Sequence, residues 1–132
     1  MPKYILDTDT CIYWLNGERG IEKKVLSVGL ENIFVSVITE CELFYGAYKS
    51  SRVEKNLEVL KALREKIKTI HTSRDLASHY GRIKASLERA GQALDDADLF
   101  IASIVLVSNG ILVTNNDSHF SRIPGLQLES WK

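Results

Sequence analysis

The chain has 132 residues, 45% hydrophobic and 26% charged, which is one domain's length with enough apolar matter for a core and none of the charge excess of a disordered segment. Lysine plus arginine and aspartate plus glutamate number 17 each, so no molecule-wide field draws the protein onto nucleic acid or an anionic membrane, and groups that bind RNA must be local. The longest uncharged, largely apolar stretch, Leu99 to Val107, is nine residues, half of what a membrane helix needs; no signal-peptide pattern opens the chain, and Cys11 and Cys41 fit neither a disulfide framework nor a metal-ligand spacing, so a soluble cytosolic protein with reduced thiols is expected.

In chain order, Lys3 to Leu6 is a short apolar run, a strand, cut off by the capping residues Asp7, Thr8, Asp9 and Thr10 before a helix from Cys11 to about Gly17. Glu18 to Gly29 reads as a second helix. Ile33 to Val37 is β-rich and leads through Thr39 into a helix ending near Ser50. Val53, Leu57, Leu60, Leu63 and Ile67, then Leu76, Tyr80, Ile83, Leu87 and Ala90, recur at steps of three and four and predict two amphipathic helices on either side of a strand at Thr69 to His71. Asp95 to Ser108 starts acidic and turns apolar on every side, the pattern of a buried helix, and Asn109-Gly110 stops it. Ile111 to Val113 and Leu126 to Leu128 complete the strands. Strands alternating with helices predict an α/β fold in one domain spanning 1–132, with a central parallel sheet of four to five strands and helices on both faces, because parallel neighbours need a crossover.

Ligands of such sheets bind at the carboxyl ends of the strands. Four segments deliver acids or amides to that edge: Asp7 after the first strand, Glu42 in the first turn of the following helix, Asp98 in the first turn of the buried helix, and Asn115, Asn116 and Asp117 after Val113. Each has a plain alternative. Thr39 to Glu42 has the form of a capping box, with Ile38 and Leu43 in staple positions; Asp95 with Asp98 is a weaker version, and Asp7 could cap the first helix. Taken together, three converging carboxylates repel by roughly 4 kcal/mol per close pair at an effective dielectric near 20 and require a cation. Oxygen donors without histidine or cysteine point to a hard ion, Mg²⁺ or Mn²⁺, and hence to phosphate chemistry.

The segments Tyr4 to Asp9, Val35 to Leu43 with Tyr45, Gly46 and Ala47 behind, Asp96 to Ala102, and Leu112 to Phe120 with Ile123, Pro124 and Gly125 resemble the PIN-domain ribonucleases, and more narrowly the VapC toxins of type II toxin-antitoxin systems. The resemblance runs from residue 3 to Trp131, in order and with the family's spacing. It implies a PIN-like three-layer fold and a Mg²⁺-dependent endoribonuclease (Mn²⁺ an alternative) that cuts structured RNA such as tRNA or rRNA loops, leaves 5′-phosphate and 3′-hydroxyl ends, and arrests translation and growth. It also implies a cognate VapB-type antitoxin, a homodimer and a higher assembly. Carried over, Asp7, Glu42 and Asp98 hold the metal. Relatives have a fourth acid two residues after the threonine where this chain has Asn116, which cannot take a proton; Asp117 is the expected substitute catalytic residue, with Thr114, Asn116 and Asp96 as supporting residues.

Other residues are expected to be structural. His71, His79 and His119 lack metal spacing and read as surface or structural groups, and Cys41 as a packing residue. Tyr13, Trp14, Phe44, Tyr45 and Tyr48 fall on helical faces, which favours core or partner surface over base stacking; an antitoxin segment would lie near Tyr13 and Phe44. Two rivals remain. Asp7, Thr8, Asp9 and Thr10 also fit the nucleophile motif of haloacid-dehalogenase-type phosphatases, although the later acids open a helix where that fold wants them after a strand. The other rival is a non-catalytic binding module whose acids serve only helix starts.

Overall fold

The computed structural model describes residues 2–132. Five short parallel strands form one sheet in the order β3-β2-β1-β4-β5: β1 is Tyr4–Leu6, β2 Ile33–Ser36, β3 Lys68–Ile70, β4 Ile111–Val113 and β5 Gln127–Glu129. Successive strand residues point to opposite faces, and the packing follows that alternation. Leu6, Ile33, Val35 and Val113 face one way into a core with residues of α1 (Thr8–Leu15), α2 (Arg19–Val28), α3 (Val37–Lys49) and α4 (Val53–Lys66). Ile5 and Leu112 face the other way, into a core with α5 (Asp75–Arg89), α6 (Asp96–Ser108) and α7 (Asp117–Phe120). The expected three layers are present.

α6 is the buried helix expected from its all-round apolar sequence, with Leu99, Ile101, Ala102, Ser103, Ile104 and Val105 all inside. Asn109 ends it in the left-handed region at φ 60°. Gly110 then passes so close to β1 that a Cβ there would lie 2.8 Å from Ile5 Cδ1 and 3.0 Å from the Lys3 carbonyl oxygen. Glu40, buried on α3, accepts a 2.7 Å bond from Arg64 Nε, which ties α3 to α4.

Two helix starts differ from the expectation, and one short helix adds to it. α1 begins at Thr8, three residues early, because Asp7 accepts from the Thr8 N–H and starts the helix. α3 begins at Val37: Ser36 is its N-cap, accepting from the Thr39 N–H at 3.1 Å, so Thr39 lies inside the first turn and the expected capping box does not form. α7 is too short to leave a periodic signal.

Candidate active site

Asp7 leaves the C-terminal end of the central strand β1 and is buried, 5% exposed. Its position is fixed from both sides: Oδ1 accepts from the Thr8 N–H at 2.9 Å and Oδ2 from Thr114 Oγ1 at 2.8 Å, across the neighbouring strand end. Burial pushes its carboxyl up to about 6; the Thr114 and Thr8 hydrogen bonds pull it back, and the charges of Asp9 and Asp98 push it further. Asp98, in the first turn of α6, is also raised, first by burial and then by Glu42 and Asp95, against the lowering effect of His119. Two acids on different elements thus resist ionisation, Asp7 partly because of Asp98, and Asp98 partly because of Glu42 and Asp95.

Glu42 stands on α3 with its carboxylate exposed and its Oε1 accepting from Thr8 Oγ1 at 2.6 Å; the same hydroxyl is 3.3 Å from Thr39 Oγ1. Its side chain therefore reaches across to α1 and does not serve its own helix start. Asp9 takes the Thr10 N–H at 2.6 Å and the Asn115 N–H at 3.0 Å, latching the segment after β4 onto α1. Thr114 is buried and also accepts from the Asn116 N–H at 3.0 Å.

The remaining expected residues divide. Asn116 faces the cluster through His119: its Nδ2 is 2.9 Å from His119 Nδ1, which in turn is 3.6 Å from Asp98 Oδ2. Asp117 opens α7, exposed, and makes no side-chain hydrogen bond or ion pair among the described residues. Asp96 is not brought to the cluster. Its carboxylate is exposed and held by Lys84 Nζ at 2.9 Å and Tyr80 Oη at 2.7 Å, which lower its pKa and brace α6 against α5. His119 is the site neighbour that sequence reasoning set aside. The signal available was its three-residue spacing from Asn116, which one helical turn brings together.

A divalent ion suits these donors. Asp7, Asp98 and Glu42 offer oxygen donors from three elements; after burial, the charge of Asp98 raises Asp7 and that of Glu42 raises Asp98, and a hard cation would offset that repulsion. Among the described residues no three His, Cys, Asp or Glu side chains are drawn close enough to hold one ion, and Glu42 is exposed and tethered through a single hydroxyl.

Beside this edge, Ile12, Leu15, Glu42, Leu43, Gly46 and Val59 line an open groove of about 480 Å³ between α1, α3 and α4. Ile12 at 46%, Leu15 at 37% and Val59 at 38% exposure are its uncovered apolar side chains. Tyr13 and Phe44 are half-buried against the first core, on the same helices α1 and α3 that border the groove. Tyr45 and Tyr48 are each 65% exposed and belong to no core. Both cysteines are free, Cys11 buried and Cys41 exposed.

The PIN-domain family profile matches residues 4–126. The chain is 34% identical to the tRNA(fMet)-specific endonuclease VapC of Salmonella typhimurium over 131 residues, 99% of each chain. It is 36% identical to ribonuclease VapC2 of Rickettsia felis over 130 residues, 97% of each. Among solved structures, a chain of the Rickettsia felis VapBC2 complex bound to a DNA fragment from its promoter superposes with a TM-score of 0.93 at 34% identity, covering 98% of both chains.

Proposed function

The chain belongs to the PIN-domain family, and from that premise we propose that it is a toxin endoribonuclease of a VapBC pair, with Asp7, Glu42 and Asp98 as the ligands of a Mg²⁺ ion or of Mn²⁺ in its place. One observation carries the reading: Asp7, Asp98 and Glu42 reach one sheet edge from β1, α6 and α3, with the first two held back from ionising by burial and neighbouring charge. When bound, the ion supplies a Lewis acid toward the phosphodiester and the counter-charge the carboxylates lack.

The chain's own groups do the positioning. Thr8 and Thr114 each hydrogen-bond one oxygen of Asp7, leaving acceptor capacity on both oxygens. Thr8 also holds Glu42 within reach from α1. Asp9 clamps the Asn115 backbone so that Thr114 stays against Asp7. Asn116 supplies an amide where an acid is common in relatives, which favours one tightly held ion over two. The substrate is structured RNA, tRNA being the first choice because a full-length relative carries that specificity in its name.

The partner is a cognate VapB-type antitoxin whose terminal segment covers the groove of Ile12, Leu15 and Val59, within a toxin homodimer and a larger assembly. Among the described residues no helix is long and apolar enough to cross a membrane; the proposed place of action is the cytoplasm. The test is cleavage of bulk tRNA by the protein freed of antitoxin, in Mg²⁺, in Mn²⁺ and in EDTA, beside Asp7→Asn and Asp98→Asn. Metal-dependent cleavage lost in both folded variants is expected. Cleavage that persists in EDTA, or in both variants, refutes the metal assignment.

A further inference from the structure

The amide at position 116 and the histidine turned toward Asp98 are two halves of one arrangement. Asn116 Nδ2 stands 2.9 Å from His119 Nδ1. Where the amide Nδ2 donates, Nδ1 accepts and the neutral ring carries its proton on Nε2. Asp98 Oδ2 lies 3.6 Å from Nδ1, a longer contact than the 2.9 Å to Asn116. Nε2 has no partner among the described residues, and the side chain is 43% exposed.

Asn116 is itself anchored. Its backbone N–H donates to Thr114 Oγ1 at 3.0 Å, and that hydroxyl donates onward to Asp7 at 2.8 Å. A hydrogen-bonded chain therefore runs from the buried acid through Thr114 and Asn116 to His119, and ends on the unpartnered Nε2 at the solvent rim of the acid cluster. A carboxylate in either place would add negative charge and could only accept a hydrogen bond. The amide and imidazole supply a donor with no added negative charge. The ligand that needs such a donor beside carboxylates is an anion that must approach them, and in a nuclease that anion is a backbone phosphate.

We infer that His119 Nε2–H, oriented by Asn116, is a substrate-contacting donor to a backbone phosphate of the bound RNA. The inference rests on the RNA-cleaving function proposed above. His119 touches the strand, Asn116 acts through it as a positioning residue, and neither holds the metal.

The contact is read by binding in the absence of turnover. In the Asp7→Asn background with EDTA, labelled tRNA(fMet) is titrated by fluorescence anisotropy. His119→Ala is expected to weaken binding about 5- to 10-fold, the loss of one charge-assisted hydrogen bond. His119→Gln, whose amide offers an N–H at similar reach, stays within about threefold of the background, and Asn116→Ala falls between. With Asp7 intact, His119→Ala leaves Mn²⁺ affinity by calorimetry unchanged. Long-range ¹H–¹⁵N spectra of the metal-free protein at about pH 8.5, where imidazole is neutral, show the proton on Nε2, and Asn116→Ala removes that preference. A proton on Nδ1, unaltered RNA binding by His119→Ala, or a loss of Mn²⁺ affinity in that variant overturns the inference. If the Asp7→Asn protein itself binds no RNA, the proposed function falls as well; if it binds and His119→Ala binds equally, only this inference falls.

Discussion

Asp7→Asn should make the metal-free protein more stable as it makes it inactive. In the folded chain the Asp7 carboxyl is raised from its ordinary 3.8 to about 6, chiefly by burial. The folded state therefore holds the proton to higher pH than the unfolded chain does, and stability falls as pH rises through the window between those two values. Above it, ionised Asp7 costs about 3 kcal/mol at 1.36 kcal/mol per pH unit. Asparagine removes the charge and keeps the shape. Its Oδ1 can accept from the Thr8 N–H, and its Nδ2 can donate to Thr114 Oγ1, which then gives up its own donation to the carboxylate. Allowing about 1 kcal/mol for that displaced hydroxyl proton leaves a gain of about 2 kcal/mol, or roughly 6–8 °C in Tm for a domain of this size. The assay is thermal unfolding by circular dichroism in EDTA at pH 7.5 and pH 4, repeated with Mg²⁺. The variant should melt higher at pH 7.5, lose most of that advantage at pH 4 where the parent is also protonated, and gain less than the parent from Mg²⁺. A variant that melts at or below the parent at pH 7.5, or keeps its full advantage at pH 4, refutes the reasoning.

Thr8→Val removes the hydroxyl that holds Glu42 and is expected to lower kcat for RNA cleavage about tenfold with little change in melting temperature, whereas Thr8→Ser stays within about twofold; equal loss in both would mean that packing and not the hydroxyl matters. Asp117→Ala should leave cleavage within about threefold, since that carboxylate is exposed and unpartnered among the described residues, while Asn116→Asp should tighten Mg²⁺ binding measured by calorimetry. A collapse of activity in Asp117→Ala would restore the aspartate to the fourth acidic role. Gly110→Ala places a methyl 2.8 Å from Ile5 Cδ1 and 3.0 Å from the Lys3 carbonyl and should cost about 1–3 kcal/mol in urea unfolding, with specific activity of the remaining folded protein unchanged.

Much of the fold is legible in the chain because hydrophobic period is a local property. The period of three and four in Val53 to Ile67 and Leu76 to Ala90 marks α4 and α5, and the largely apolar Leu99 to Val105 marks the buried helix α6. The acids Asp7, Glu42 and Asp98 could be picked out because each follows a strand end or opens a helix at the edge where parallel sheets bind ligands. What those side chains do there depended on partners far along the chain. Residues 34 positions apart turn Glu42 from an apparent helix cap into a group held by Thr8, and residues 107 apart fix Asp7 against Thr114. Asp96 and Asp98 sit two residues apart in one acidic turn, and only the placement of α5 assigns the first to Lys84 and Tyr80 while the second faces Glu42 and His119. A helix turns about 100° per residue, so positions two apart face different neighbours. Which neighbour each one meets is decided by tertiary packing, because hydrogen bonds and Coulomb forces act across distances in space that sequence separation does not encode.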